Sequence, residues 1–367
     1  MSFAERILSV FENAGYRRVD AAILQPADIF LDLSGEEIRH RLYVTSDAEG
    51  REWALRPEFT IPAALSYLAS PDAGRAANYS YLGPVFRVRQ GEADEFLQAG
   101  LESFGRHDRE AADAEIIARA VEALASAGET RIDIRLGDMG LFNALLQALD
   151  LHPVWQRRLR RVFAKGALNK DSLETLAQSV PEATNHAGLL KAVEGQDPKA
   201  TRAFVEDILQ IAGISTVGGR SAGEIAERFL AQASNIAEGA LPDEALSALA
   251  RYAEIDGNPD DAADALRRLM HETGLDLGAA VDAFETRAGF VAARGIPLET
   301  VTFSARFGRN LDYYTGAVFE IRKAGEAASR PLVGGGRYDR LTEALGGASV
   351  PAVGCAVFID RMMGGAS

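Results

Sequence analysis

The sequence predicts an α+β fold: an antiparallel β-sheet flanked by helices, its strands split into two sequence blocks by a mainly helical insertion. Three observations predict it. Short β-rich runs separated by turn signals fill residues 41–105, and strand chemistry returns after residue 300 in "VTFSARFGRNLDYYTGAVFEIR" and "PLVGGGRYDRL". The residues between, from about Lys170 to Ile296, are Ala-rich and helical in pattern. Strands and helices therefore segregate along the chain and do not alternate as repeated βαβ units.

Taken in order, Phe3, Ile7, Leu8, Val10 and Phe11 fall mostly at helical spacing, and Gly15 is placed to end that helix. "RLYVTSDAEGREWALRPEFT" reads as two β-rich runs around Asp47-Ala48-Glu49-Gly50, a hairpin signal in which Gly50 supplies the positive φ. "YSYLGPVFRV" and "LQAGLESFG" repeat the theme around an acidic loop. A helix from about Ala111 to Ala127 follows, and "TRIDIRLGD" is a strand with Ile132, Ile134 and Leu136 on one face. In the helical middle, "ATRAFVEDILQIAGI" carries the apolar spacing of a half-buried helix stopped by Gly213, Ser221-x-x-Glu224 offers a capping box, and Asn258-Pro259 reads as cap and first helical position. The expected division is residues 1–168 as the first part of the core, 169–297 as the helical insertion and 298–367 as the second part of the core.

Composition narrows the function. With 367 residues and 47% hydrophobic content the chain buries a full core. A net charge of −14 argues against non-specific binding of nucleic acid, which needs a basic face. One cysteine, Cys355, forms no intrachain disulfide, and the 5 histidines stand at no ligand spacing, so neither a metal nor a cofactor is expected. The N-terminal segment has no basic run followed by an apolar one, and no stretch approaches a membrane span, so a cytoplasmic location is expected.

Five stretches carry chemistry: "LRPEFT" (55–60), "FRVRQGEADEFLQAGLE" (86–102), "RNLDYYTGAVFE" (309–320), "GGGRYD" (334–339) and "AVGCAVFIDR" (352–361). Each is weak alone. Glu58 beside Arg56 in a strand suits a structural ion pair; Gly334 to Gly336 lack the Lys of a phosphate loop and suit a tight strand-to-helix turn; Arg361 suits a helix end. In this order and at these intervals, however, the set resembles the histidyl-tRNA synthetase branch of the class II aminoacyl-tRNA synthetases, over roughly residues 1–140 and 300–361. The resemblance implies a class II synthetase-like sheet and a histidine pocket. Glu58, Thr60 and Gln98 would hold the ammonium, Arg309 the carboxylate, Glu102 and Tyr314 the two ring nitrogens, and Tyr338 the pocket wall. The residue types suit that ligand, since an ammonium needs acceptors, a carboxylate a cation, and an imidazole an acid and a hydroxyl.

The nucleotide half departs from the family. Its two arginines, Arg87 and Arg361, are expected as a vestigial nucleotide or anion site, because the loop between them carries Glu92, Asp94 and Glu95 in place of basic residues. Like charges about 6 Å apart repel by about 3 kcal/mol at an effective dielectric of about 20. Phe358 stands where the family has a small residue, and is expected to plug the adenosine pocket. The family's anticodon-binding domain is expected to be absent, because the sequence ends six residues after Arg361. Together these departures resemble the synthetase-like regulatory subunits of ATP phosphoribosyltransferase. That resemblance implies a non-catalytic protein of histidine biosynthesis, with no tRNA partner and no membrane, that pairs with a short catalytic subunit in a hetero-oligomer. It also implies a homodimer through the N-terminal helix and the segment near Pro26, and L-histidine as effector, sensed either in this pocket or at the subunit interface. A truncated ligase that activates histidine as its adenylate is the alternative.

Overall fold

The computed structural model describes residues 2–33, 40–164, 166–178, 216–217, 220–221, 241–309, 313–326 and 330–362. The chain divides into two compact units, one of Met1–Leu149, Phe163–Ala167 and Arg251–Ser367, the other of Asp150–Val162 and Leu168–Ala250. In the smaller unit, Val154, Trp155, Leu159, Leu168 and Leu173 are buried, and the short strands β8 (Thr216–Val217) and β9 (Arg220–Ser221) pair antiparallel. The helix expected over Ala200–Ile214, and Glu224 of the expected capping box, lie outside the described residues. Residues from Arg251 to Ile296, expected within the insertion, group with the larger unit instead.

The larger unit is built on a nine-stranded sheet. Its strands are β1 (Arg17–Arg18), β5 (Ala77–Phe86), β6 (Glu95–Phe104), β7 (Ile132–Asp138), β10 (Asp256–Gly257), β11 (Val301–Ser304), β12 (Ala317–Lys323), β13 (Val333–Arg337) and β14 (Ala352–Phe358). They run in the spatial order β1-β5-β6-β14-β13-β12-β7-β11-β10. The pairs β1 with β5 and β7 with β11 are parallel, and the central pairs are antiparallel. The split sheet expected from the sequence is thus one sheet, because the late strands β12, β13 and β14 insert between the early strands β6 and β7. Three further strands, β2 (Leu24–Pro26), β3 (Val44–Ser46) and β4 (Glu52–Leu55), form a separate small sheet in the order β2-β4-β3.

Local signals explain the elements. The helix Phe3–Asn13 opens with a capping box between Ser2 and Glu5, and Gly15 leaves it at φ +88°. The expected hairpin joins β3 to β4: Asp47 Oδ1 accepts from the amides of Glu49 and Arg51, and Gly50 sits at φ +80°. Asn258 caps the helix Pro259–Thr273 by accepting from Asp260 N and Asp261 N. One element was unexpected. The stretch after "LRPEF" is the helix Thr60–Leu68, so Glu58 lies at its entrance and not in a strand. The helix has five buried residues among nine, Ile61 to Ala64 and Tyr67, so it shows no polar stripe, and Pro62 in its first turn reads as a breaker although it is tolerated there.

A buried ion network ties helices to the sheet. Arg287 on the helix Gly278–Ala293 donates to Asp113 (2.8 Å) on the helix Arg109–Ser126 and to Asp138 (2.7 Å) at the end of β7. Arg337 at the end of β13 reaches Asp113 (2.6 Å) and Asp339 (2.7 Å). Breaking such a network by removing one partner costs about 3–5 kcal/mol, because a desolvated charge is left alone. It fixes the end of the strand from which Tyr338 enters the site.

Candidate functional site

Register places the candidate residues on one face of the sheet. Glu102 on β6 pairs with Gly354 on β14, which pairs with Gly336 on β13. Two residues along, Gly100 pairs with Ala356, which pairs with Gly334, and Tyr81 on β5 lies opposite Gly100. Opposed residues share a face and side chains alternate, so Gln98, Gly100 and Glu102 line it together with Gly334, Gly336 and Gly354. These glycines clear the floor. A Cβ on Gly354 would stand 1.5 Å from Glu102 Oε2, one on Gly334 2.2 Å from the Arg309 guanidinium, one on Gly336 2.9 Å from the Tyr314 ring and one on Gly100 2.3 Å from Tyr81. The triple glycine is therefore no strand-to-helix turn; it is a buried stretch of β13 over which ligand-type side chains lie.

Glu102 is the centre of the pocket, with no exposed surface. Thr60 Oγ1 donates to its Oε1 at 2.8 Å, Tyr81 OH approaches the same oxygen at 3.3 Å, and Tyr338 OH donates to Oε2. Burial pushes its carboxyl up to about 8, against the pull of the Tyr338 and Thr60 hydroxyls, and the neighbouring Glu58 adds to the rise. Glu58 accepts from the amides of Thr60 (2.5 Å) and Ile61 (2.9 Å), so it caps the helix Thr60–Leu68, which has no cap from Phe59. Burial raises its pKa, and those two amides oppose the rise. Burial likewise pushes Tyr314 up to about 12, opposed by the Arg309 charge and reinforced by Glu102.

Two pocket groups have no partner among the described residues: Gln98 Oε1 and Arg309 Nε are buried and unbonded. Arg309 otherwise donates to the Phe319 carbonyl at 3.3 Å. A buried polar atom left unpaired costs about 1–3 kcal/mol. The pocket thus presents, along the strands from a buried carboxyl, an acceptor and a cationic donor unpaired among the described residues, groups of the kind that suit a zwitterionic amino acid with a ring N–H. All seven expected pocket residues, Glu58, Thr60, Gln98, Glu102, Arg309, Tyr314 and Tyr338, lie in this neighbourhood. Tyr81 and the glycine floor were not foreseen. The strand alternation Tyr79, Tyr81, Gly83 signalled the facing, but only the register puts Tyr81 opposite Gly100.

The two expected anion-site arginines stand over neighbouring rings, Phe96 and Phe358, whose centroids lie 6.1 Å apart. Arg87 stacks at 5.1 Å over Phe96, with its Nε unbonded, and burial pushes it down to about 9. Arg361 lies at 4.1 Å over the Phe358 ring and grips Glu92 with two bonds of 3.0 Å. Arg330 and Arg89 reach the same Glu92 carboxylate at 2.6 and 3.2 Å. The acidic loop does not line this corner with bare negative charge, as the sequence suggested, because Glu92 is neutralised by arginines and Asp94 accepts from Arg89 N and Tyr43 OH. Phe358 is buried against Phe59, Tyr81, Val85 and Phe96. No group of metal-ligating side chains occurs among the described residues, and no helix among them is long and apolar enough to cross a membrane.

The histidyl-tRNA synthetase family model matches residues 1–210 and 201–362. An ATP phosphoribosyltransferase regulatory subunit of Mesorhizobium japonicum is 40% identical over 98% of this chain and 96% of its own length. Another, of Brucella anthropi, is 40% identical over 94% and 92%. Among solved structures, an ATP phosphoribosyltransferase regulatory subunit/histidyl-tRNA synthetase from Bacillus halodurans shares the fold, with a TM-score of 0.67 at 22% identity over 98% of this chain and 77% of that one. A histidine–tRNA ligase subunit from Alicyclobacillus acidocaldarius has a TM-score of 0.58 at 26% identity, over 98% and 90%. On a histidyl-tRNA synthetase-type fold, the chain belongs to the family of ATP phosphoribosyltransferase regulatory subunits.

Proposed function

We propose that this regulatory subunit binds free L-histidine in the Glu102 pocket and passes that signal to a short catalytic subunit of ATP phosphoribosyltransferase, which it activates in a hetero-oligomer. The observation that carries the proposal is the pairing of a hydroxyl-ringed, fully buried Glu102 with the unbonded Gln98 Oε1 and Arg309 Nε. The carbonyl of Gln98, with Glu58, receives the ammonium, Arg309 meets the carboxylate, and Glu102 with Tyr314 takes the ring nitrogens. A ligand without the ring N–H gives the ionised Glu102 no donor beyond the hydroxyls of Thr60, Tyr81 and Tyr338, which selects for histidine. Feedback inhibition then follows from linkage: histidine shifts the complex by its differential affinity for two arrangements, and the catalytic substrate shifts histidine affinity by the same factor.

Calorimetry of the chain with histidine, and inhibition of the reconstituted complex, test this together. Glu102→Ala is expected to abolish both heat and inhibition. A Glu102→Ala complex that is still inhibited normally places the sensor elsewhere, at the subunit interface. A homodimer is supported by a cluster of exposed apolar side chains on the small sheet and beside it: Ile23, Leu24, Tyr43, Val44 and Val88 are 38–48% exposed. Val88 N bonds to Arg41 O, and Leu55 N to Tyr43 O, which holds these segments side by side. Sedimentation of Val44→Lys as a dimer equal to the wild type removes that interface.

A further inference from the structure

Behind the sheet, Arg337 carries an inference that rests on the reading of the Glu102 pocket as a histidine site. Side chains alternate along a strand, so Gly336 faces the pocket and Arg337 faces the helix Arg109–Ser126, while the hydroxyl of the next residue, Tyr338, reaches Glu102. Every nitrogen of the Arg337 guanidinium is engaged. Nε and one terminal nitrogen reach Asp113 Oδ1 at 2.9 and 2.6 Å, the same terminal nitrogen reaches the Arg109 carbonyl at 2.9 Å, and the other reaches Asp339 Oδ1 at 2.7 Å. Its stem passes Gly316, where an added Cβ would stand 3.0–3.2 Å from the Arg337 side-chain carbons.

The backbone around this anchor holds two pocket tyrosines. Asp339 Oδ1 also accepts from Ala352 N at 2.9 Å, and Tyr338 N donates to Ala352 O at 2.8 Å, so Tyr338 is clamped on both sides. The Arg337 carbonyl accepts from Thr315 N at 2.8 Å, and Asp339 N donates to Thr315 Oγ1 at 3.0 Å. Thr315 follows Tyr314, whose ring lies over Gly336, and so links the anchor to the second tyrosine. The Tyr338 hydroxyl is also the strongest pull against the rise that burial imposes on Glu102. Arg287, the other buried arginine of the network, bonds instead to Asp113 and to Asp138, the cap of the helix Met139–Ala148.

We propose that Arg337 is a positioning residue of the Glu102 pocket: anchored by Asp113 and Asp339 on one face of the sheet, it sets where Tyr338 and Tyr314 stand on the other. It touches no ligand itself. A binding constellation works only when its groups are held to within about 0.5 Å, and that precision comes from the bonds behind them. A side chain of similar length without those bonds frees the strand end, loosens the Tyr338 hydroxyl from Glu102 and lets Tyr314 drift. Removing Arg287 breaks the same network but leaves Arg337 gripped by Asp113 and Asp339.

The test compares Arg337→Met, Arg337→Lys, Arg287→Met and Thr315→Val with the wild type, as full chains. Calorimetry with L-histidine reads affinity, and carboxyl NMR of the ligand-free, glutamate-labelled protein reads the titration of Glu102. The other titratable groups around that carboxyl, Glu58, Tyr81, Tyr313, Tyr314 and Cys355, are the same in every variant. Arg337→Met is expected to weaken histidine binding about tenfold or more, the worth of one hydrogen bond to a charged group. It is also expected to move the Glu102 titration upward, as Tyr338→Phe does, because both take a donor from the carboxylate. Arg337→Lys, which keeps the charge but not the forked grip, is expected to fall between. Arg287→Met is expected to lower the urea midpoint as Arg337→Met does, with histidine affinity and the Glu102 titration unmoved. Thr315→Val, nearly isosteric, is expected to cost about threefold in affinity. Wild-type affinity and titration in Arg337→Met overturn the proposal, and an equal loss in Arg287→Met reduces Arg337 to a support of the fold. If Arg337→Met fails to fold, wild-type affinity in both Arg337→Lys and Thr315→Val overturns it. A wild type that binds no histidine sinks the histidine reading, and the Glu102 titration in ligand-free Arg337→Met then decides by itself whether Arg337 positions Tyr338.

Discussion

Two neighbouring regions treat buried charge in opposite ways. Around Glu102, glycines clear the strands, and Gln98 Oε1 and Arg309 Nε have no partner among the described residues. Around Arg361, the chain supplies its own counter-ion, and Glu92 engages three guanidiniums. Burial of a polar group is tolerated when something pairs it. In the second region that partner is part of the chain, whereas in the first none stands among the described residues. The contrast teaches that one fold can close one cluster of buried charge by internal pairing and keep its neighbour open by absent side chains.

The largest effect is expected where the open cluster depends on a missing Cβ. In Gly354→Ala the new methyl would lie 1.5 Å from Glu102 Oε2 and 2.6 Å from the Leu101 carbonyl, so backbone as well as side chain must shift. Histidine binding should vanish, with a loss of about 1–3 kcal/mol or more in urea unfolding. Wild-type stability and affinity in this variant would break the claim that the floor is built. Next comes Glu102→Gln. Its carboxyl is raised from 4.5 to about 8 in the folded chain, so the stability it contributes is complete below about pH 4.5 and is lost as pH rises through about 8. The glutamine variant escapes that loss and should be more stable than the ligand-free wild type at pH 8, on the order of 2 kcal/mol, while losing about a hundredfold in histidine affinity. In the wild type, histidine affinity should rise between pH 6 and 8, with proton release on binding that depends on buffer ionisation heat, because the ring N–H needs the ionised carboxylate.

Gly334→Ala should be milder. The three atoms nearest its methyl, at 2.2–2.4 Å, all belong to the end of the Arg309 side chain, which can swing away. The fold should persist, with histidine affinity down about tenfold, one charge-assisted contact's worth. Histidinol, which lacks the carboxylate, should bind both proteins equally. A drop for histidinol as well would mean that the methyl disturbs the pocket at large and not Arg309 alone.

Much of this was legible in the sequence, for reasons that differ by element. The hairpin at Asp47–Gly50 and the caps at Gly15 and Asn258 are local, so local rules find them. That Glu58, Thr60, Gln98, Glu102, Arg309, Tyr314 and Tyr338 share one neighbourhood was legible through the resemblance of ordered motifs, not through pattern or period. What stayed hidden depends on tertiary register. The helix Thr60–Leu68 is buried too evenly to show a stripe, and the glycines of β13 read as a turn because nothing local reveals which strands flank them. The role of Glu92 was hidden most deeply: as sequence it is one acid in an acidic loop, and only folding brings Arg330 and Arg361, 238 and 269 residues away, onto its carboxylate.

The smallest effect sharpens the comparison most, because it reverses sign with ligand. Gln98 is 2% exposed and its Oε1 has no partner among the described residues, so Gln98→Met removes a buried unpaired acceptor while keeping length and flexibility. The ligand-free variant should match the wild type or exceed it by less than about 1 kcal/mol. With histidine added, the wild type gains RT ln(1 + [L]/Kd), and the variant, having lost an acceptor for the ammonium, gains less. The order of thermal midpoints should therefore cross as histidine is titrated in. The same exchange in the closed cluster, Glu92→Met, strips the counter-ion from three arginines and should lower the midpoint at every histidine concentration, with no crossing. If Gln98→Met lowers the midpoint of the ligand-free chain as Glu92→Met does, the Gln98 carbonyl is already satisfied at home. The two regions would then differ in shape and not in what they leave for a ligand.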